Sequence, residues 1–198
     1  CNDINQAPGK LLREEPEEVI HRLLAKSIDK TVPDHAAMIV SGGVDSTLMA
    51  SYTKENDKQK GKILRRKAYT MQLEHQNTED TEWAKSLCTE WGWEHQVINM
   101  SDRQLINAYL KLVEKLDEPL GDRSLLPSWC LAQNIQPHSR VAIGGDGGDE
   151  LFVGYGRYLK MAPYLKKLTE RGNWAEAYWT NALRVGEPEA IKAANEKI

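Results

Sequence analysis

The sequence predicts an α/β fold, a three-layer sandwich in which helices cover both faces of a mostly parallel sheet. Short apolar segments alternate with longer segments whose apolar residues recur at helical spacing, and strands connected in this way pair through crossovers. The first short segment also runs directly into a glycine-rich turn and a helix. With 198 residues, 40% of them hydrophobic, the chain is long enough to bury one large core.

The predicted elements follow one another along the chain. A polar lead-in over residues 1–15 precedes helix 16–30, strand 36–41, a helix ending near residue 56, strand 67–73, helix 77–91, strand 94–100, helix 101–116, helix 124–136 and strand 139–143. Residues 161–198 keep apolar residues at helical spacing and are predicted to form a helical C-terminal extension.

The apolar stripes predict which helix faces are buried. The predicted buried residues are Val19, Ile20, Leu23, Leu24 and Ile28 in the first helix, Trp83, Ala84, Leu87, Cys88 and Trp91 in the helix over 77–91, and Leu105, Ile106, Tyr109, Leu112, Val113 and Leu116 in the next. The basic cluster Lys62, Arg65, Arg66 and Lys67 is predicted to be a solvated strand entry. Cys88 and Cys130 are predicted to be buried thiols.

The first strand ends in the hexapeptide Ser-Gly-Gly-Val-Asp-Ser, residues 41–46. Glycines let a backbone approach a phosphate, and the unpaired N–H groups of the first helical turn point at it. Ser41 and Ser46 can add hydroxyl donors, and Asp45 can hold a divalent cation. The segment therefore predicts a phosphate site, with an ordinary strand-to-helix turn as the alternative.

A second glycine-rich segment, Gly-Gly-Asp-Gly-Gly-Asp-Glu over residues 144–150, follows the strand that ends at Ile143. In a parallel sheet this segment and the hexapeptide should face the same crevice. The carboxylates of Asp146 and Asp149 would be costly beside Asp45 without a cation, which a magnesium–ATP complex supplies. A structural acidic turn is the alternative.

Together the two motifs resemble the synthetase domain of the asparagine synthetase family, whose hexapeptide is the phosphate loop of PP-loop ATP pyrophosphatases. The segments Leu-Asp-Glu-Pro at 116–119 and Ser-Leu-Leu-Pro at 124–127 also match, and the resemblance covers residues 17–163. It implies an adenine nucleotide α-hydrolase-like fold with the ATP-binding synthetase domain over residues 16–160. It further implies an AMP-forming ligase: a carboxylate, aspartate or an analogue, is adenylated by ATP with release of pyrophosphate and then amidated by ammonia.

The resemblance also implies site residues. The pyrophosphate would be held by Ser41, Gly42, Gly43, Asp45 and Ser46, the nucleoside would contact Val40 and Met71, and Gly144 and Gly145 would flank AMP. Asp45 and Asp149 match the aspartates that hold Mg²⁺, and Asp146 matches the residue at the adenylation and amide-forming centre. Tyr155, Arg157 and Tyr158 are candidates for orienting a substrate, with packing on the sheet as the alternative.

The chain departs from the family pattern in four places. Gly144 stands where the family often has Ser, and Gln72 where many members have Gly. The family also carries a glutaminase domain before the synthetase domain, and a lysine and an aspartate–arginine segment after it. We find no counterpart of either in this sequence. We therefore expect a chain without the glutaminase domain and truncated at its C-terminal end, with ammonia supplied by a separate glutaminase domain or chain.

Charge and composition limit the classes of partner and the cellular location that we expect. The 26 basic and 29 acidic residues give a net charge of −3, which argues against a nucleic-acid partner. Apolar runs are too short for a membrane helix, and three scattered cysteines favour a reducing, cytoplasmic location. Two alternatives stay open: an ATP-binding module without turnover of its own, and a tRNA-modifying pyrophosphatase.

Overall fold

The computed structural model describes residues 15–75, 79–118, 121–122 and 124–156. The chain divides into two units, Cys1–Gly145 and Asp146–Ile198. Of the predicted lead-in only Glu15 is described. The predicted extension over 161–198, Arg157 and Tyr158 lie outside the described residues.

The helices and strands alternate as predicted. The first unit contains α1 (Pro16–Thr31), β1 (Ala37–Ile39), α2 (Val44–Gln59), β2 (Lys67–Leu73), α3 (Glu79–Trp91), β3 (Glu94–Met100), α4 (Asp102–Val113), α5 (Leu125–Ile135) and β4 (Ala142–Ile143), and the second contains α6 (Gly148–Phe152). None of the helices in the described ranges is long and apolar enough to cross a membrane.

The four strands form one parallel sheet in the order β3-β2-β1-β4. The chain builds outward from β1 to β2 and β3 and then returns to place β4 on the other side of β1. This arrangement confirms the predicted α/β fold with a parallel sheet.

The core lies on both faces of this sheet. Met38 of β1 and Val40, just after it, pack with Ala84 and Cys88 of α3 on one face, where α1 and α2 pack beside them. Because successive strand residues point to opposite faces, Ala37 lies on the other face and packs with Tyr69, Ile98 and Ile135. The predicted burial of Cys88 and Cys130 is confirmed, and burial raises the pKa of the Cys88 thiol to about 11.

The buried faces of the helices are narrower than predicted. Ile20, Leu23, Trp83, Ile106, Tyr109 and Val113 are exposed. In α3, contact with the sheet is made by Thr81, Ala84 and Cys88, three residues on one line of the helix. Trp83 lies beside that line and is 57% exposed. Spacing identified the apolar side of each helix but overestimated how many of its residues reach the core.

The prediction for the basic cluster is wrong at Arg66, which is 3% exposed. Its guanidinium donates to both carboxylate oxygens of Asp57, at 2.7 and 2.8 Å. It also donates to the backbone carbonyls of Pro33 and Asp34. A buried cation needs this degree of pairing, and Arg66 thereby ties the end of α2 to the segment that leads into β1.

Candidate functional site

The loop Ser41–Gly43 lies at the carboxyl end of β1. The strands on the two sides of β1 are β2 and β4, and the chain connects to them in opposite directions. β2 pairs with one edge of β1 and β4 with the other, so the connections leave β1 in different directions. Ligands of open parallel sheets bind at such a point. The predicted phosphate loop therefore occupies the position in the sheet where a ligand crevice is expected.

The two serines of the loop hold its backbone in shape. Ser46 Oγ donates to the carbonyl of Gly43 at 3.2 Å and accepts from the backbone N–H of Ser41 at 3.1 Å. The two hydroxyl oxygens are 2.9 Å apart, and since Ser46 uses its proton on Gly43, Ser41 is the donor of this bond. Both hydroxyls bond within residues 41–46 here, and their predicted contact with phosphate stays a prediction.

The first turn of α2 presents backbone donors next to this loop. Gly43 is the N-cap residue, and its carbonyl accepts from the N–H of Thr47. The N–H groups of Val44, Asp45 and Ser46 precede the first helical hydrogen bond and have no acceptor inside the helix. These groups, with the positive end of the helix dipole, could bind an anion.

Gly42 fits where no other residue would. Its φ is +86° and a Cβ built on it would overlap the carbonyl oxygen of Asp80, whose carbonyl carbon would be only 2.7 Å away. The first turn of α3 is thus packed directly against the loop. Sequence reasoning assigned Gly42 to phosphate contact and did not detect this close approach, because Asp80 is distant in sequence.

Gly145, just after β4, lies against the same helix turn. A Cβ on Gly145 would be 2.5 Å from the backbone nitrogen of Ser46 and 2.9 Å from the Cβ of Asp45. The prediction that the second glycine-rich segment lies beside the hexapeptide is confirmed for Gly145, whereas a crevice shared by the two segments stays a prediction. Gly144 is half-buried beside it.

Val40 and Met71, the residues expected to contact the nucleoside, lie where the pairing between β1 and β2 ends. The N–H of Val40 donates to the carbonyl of Tyr69 at 3.0 Å, the last backbone bond between these strands within the described ranges. The Val40 side chain is fully buried, so only its backbone can contact a ligand. Because alternate residues of a strand address the same neighbour, the N–H and C=O of Met71 point, like those of Tyr69, to the β1 side, beyond the end of the ladder.

The remaining predicted residues belong to the second unit. Asp146 is exposed and Asp149, in α6, is half-buried. The N–H of Gly154 donates to the Asp149 carbonyl at 3.0 Å, and a Cβ on Gly154 would overlap the Asp149 carboxylate. Tyr155 donates to Glu150 at 2.6 Å. Asp45 lies in the first unit, so its pairing with Asp149 stays a prediction.

The parts of the chain that the structure describes contain no group of three or more His, Cys, Asp or Glu residues placed to hold a metal ion. The predicted magnesium ligands, Asp45 and Asp149, therefore stay a prediction.

Sequence reasoning missed two polar residues beside the loop. Thr70 on β2 is buried and donates to the carbonyl of Val40, and its hydroxyl lies 2.8 Å from Nε2 of His95 on β3. His95 lines a cleft of about 470 Å³ together with Gln72, Thr81, Glu82, Lys85, Thr89, Trp93, Val97 and Asn99. The available signal was a polar residue at a central position of an otherwise buried strand.

Comparison with known proteins gives several related chains. Asparagine synthetase [glutamine-hydrolyzing] 1 of Bacillus subtilis is 30% identical over 128 residues, which are 63% of this chain and 19% of that protein. A putative asparagine synthetase [glutamine-hydrolyzing] 2 of Methanocaldococcus jannaschii is 26% identical over 162 residues, 80% of this chain and 30% of that protein. The chain thus spans less than a third of the length of these relatives.

A solved structure shares the fold. Glutamine-dependent NAD⁺ synthetase from Acinetobacter baumannii, determined in complex with adenosine diphosphate, matches 77% of this chain and 29% of its own, with a TM-score of 0.51 at 16% identity. The model of the family described as asparagine synthase matches residues 20–196. Since that match takes in nearly the whole chain, from before β1 to beyond α6, this protein belongs to the asparagine synthase family.

Proposed function

We propose that the chain is the ATP-using part of an AMP-forming amide ligase. In this reaction a carboxylate attacks the α-phosphate of ATP, pyrophosphate leaves, and ammonia displaces AMP to form the amide. The observation that carries the proposal is the cradle at the end of β1, where the Ser41–Gly43 loop, the first turn of α2 and Gly145 meet. Membership of the asparagine synthase family supports it.

The cradle suits a polyphosphate in its shape and charge. Two glycines bring backbone close to the ligand position, and the free N–H groups of Val44–Ser46 are fixed before the reaction begins. Donors that are already oriented toward the position where charge develops stabilise a leaving pyrophosphate without reorganisation. Ser41 and Ser46 would contact the pyrophosphate as predicted, and their mutual hydrogen bond helps to keep the loop closed.

We place the nucleoside beside Val40 and Met71, where the backbone of β2 continues past the end of β1. A strand N–H and C=O that face an open edge offer one donor and one acceptor, which suit the edge of adenine. Gly144 and Gly145 would then flank AMP. The geometry at Val40 favours a contact through backbone, since its side chain lies in the core.

The acidic residues supply the rest of the proposed chemistry. Asp45 and Asp149 would hold Mg²⁺, a carboxylate-preferring ion that, when bound, neutralises phosphate charge. Asp146 would accept a proton from an ammonium ion, a step that a carboxylate in a crevice can perform. The carboxylate substrate would be aspartate or an analogue.

The test is pyrophosphate release from ATP, measured with ammonium and a panel of carboxylates that includes aspartate. We expect release to require one carboxylate and to fall at least 100-fold in Asp45→Ala/Asp149→Ala, since both proposed metal ligands are lost. Asp29→Ala, an exposed aspartate on α1 paired with Lys60, is the control and should behave as wild type. Unchanged release in the double variant contradicts the proposal.

A second candidate is an ATP-binding module that turns over only with a further polypeptide. The observation that favours it is the share of the relatives that the chain spans, 19% of the Bacillus protein. A separate glutaminase domain or chain would supply ammonia, and the further polypeptide would complete the acceptor side. ATP binding without pyrophosphate release by the isolated chain would favour this candidate over the first.

A further inference from the structure

We propose that Thr70 and His95 are positioning residues of the ATP site, which act by fixing the peptide that joins β1 to the phosphate loop. The inference deepens the proposed function and rests on it. It starts from a chain of three groups: His95 on β3, the hydroxyl of Thr70 on β2, and the backbone carbonyl of Val40 at the end of β1.

The direction of the hydrogen bonds along this chain follows from proton counting. A carbonyl can only accept, so the single proton of the Thr70 hydroxyl goes to Val40. Thr70 must then accept from His95, and the imidazole carries its proton on Nε2. Burial and the nearby Lys85 lower the pKa of His95, so the ring is neutral at pH 7 and its Nδ1 is an acceptor. His95 thus keeps the Thr70 hydroxyl directed at Val40.

The peptide that receives this bond is held at its other end as well. The carbonyl of Val40 and the N–H of Ser41 belong to one planar unit. The N–H donates to Ser46 Oγ at 3.1 Å, and the carbonyl accepts from Thr70. The plane of this peptide is therefore fixed by β2 on one side and by α2 on the other. Its orientation sets the direction in which the chain leaves β1 and enters the loop.

The same arrangement accounts for the open edge of β2. At Val40 the side chain of Thr70 satisfies the carbonyl that a further ladder bond would otherwise use. The two strands can therefore part at this point without leaving a buried acceptor unpaired. Removal of the Thr70 hydroxyl leaves that carbonyl without this partner, and we expect the peptide to rotate toward another donor.

The test compares variants of the 198-residue chain in their affinity for ATP in the presence of Mg²⁺, measured by calorimetry. Thr70→Val is expected to weaken ATP binding about five- to tenfold, the effect of one lost hydrogen bond on the loop position. Thr70→Ser keeps the hydroxyl and should remain within about twofold of wild type. Thr53→Val is the matched control, because Thr53 is also fully buried and donates to a backbone carbonyl, that of Met49, at 2.8 Å inside α2.

A purely structural role for Thr70 makes a different set of predictions. Thr70→Val and Thr53→Val would then lower the free energy of unfolding by similar amounts and bind ATP with the same affinity as each other. This outcome overturns the inference. Equal weakening by Thr70→Ser and Thr70→Val also overturns it. If wild type binds no ATP, the proposed function itself fails, which is a distinguishable result.

The half-buried His95 provides a second measurement that does not depend on the folding of Thr70→Val. Nitrogen chemical shifts of the imidazole should show the Nε2–H tautomer in wild type. His95→Leu should weaken ATP binding, whereas His95→Gln, whose amide retains a donor, should restore most of the affinity. The Nδ1–H tautomer, or wild-type affinity in His95→Leu, contradicts the inference.

Discussion

Gly42 shows how much of the candidate site depends on a single residue. Its positive φ alone disfavours any side chain, and the carbonyl of Asp80 occupies the space that a Cβ would need. The first requirement is local and could be anticipated from a glycine in a tight turn. The second comes from α3, a tertiary contact that no local pattern contains.

We predict that Gly42→Ala lowers the free energy of unfolding by roughly 3 kcal/mol, because left-handed strain and a backbone collision add. Gly61→Ala is the matched control: Gly61 has φ +66° but nothing within 4 Å of its Cβ position, so only the strain of about 1 kcal/mol remains. Urea unfolding measures both. Equal losses in the two variants would show that the contact with Asp80 is unimportant.

His95 predicts how the stability of the protein depends on pH. Its pKa is lowered from the ordinary 6.5 by burial first and by Lys85 second, with Glu82 opposing. The unfolded chain therefore binds the proton more readily than the folded one, and stability falls as the pH drops below 6.5 toward the lowered value. Urea unfolding at pH 7.5 and 5.5 should show a larger loss in wild type than in His95→Gln. Equal losses of stability in wild type and His95→Gln would contradict the lowered pKa of His95.

At the scale of elements, the ion pair between Arg66 and Asp57 joins α2, β2 and the entry to β1. We predict that Asp57→Ala lowers stability by about 3–5 kcal/mol, since it leaves a buried guanidinium without its carboxylate. Asp29→Ala removes an exposed partner of Lys60 at 2.6 Å and should stay close to wild type in urea unfolding. A small effect of Asp57→Ala would mean that water reaches Arg66.

Helices and strands were predictable from the sequence because their signals are local. Apolar spacing, Pro16 at the first turn of α1 and the glycine-rich turns determine where each element begins. The width of the buried face is not local, because it depends on how closely a helix lies on the sheet. Trp83 and Ile106 follow the apolar spacing and are nevertheless exposed.

For the whole molecule, the alternation of strands and helices predicted the parallel sheet, and the glycine motifs predicted a site at the carboxyl end of β1, which stays a prediction. The contacts of Thr70, His95 and Asp80 could not be predicted in the same way. Each is made with a partner on another strand or helix, and the register that brings the strand residues together, such as Ile39 beside Tyr69, is set only when the sheet has formed. The sequence thus indicated the candidate phosphate loop but not the residues that contact the chain around it.

The strand order predicts the order in which the parts of the candidate site assemble during folding. β1 pairs with β2 about 30 residues away and with β4 about 105 residues away. Closing the longer loop costs more entropy, and we expect it to come later. The Ser41–Gly43 loop would then form on the sheet of β1, β2 and β3, and Gly145 would reach α2 when β4 pairs with β1.

Two amides at the ends of β1 can time these steps. The N–H of Val40, just after β1, donates to Tyr69 on β2, and the N–H of Ala37 donates to Val141, just before β4. In pulsed hydrogen exchange during refolding, we expect Val40 to become protected before Ala37. Simultaneous protection would mean that the sheet forms in one step, and that the candidate site is assembled together with the fold.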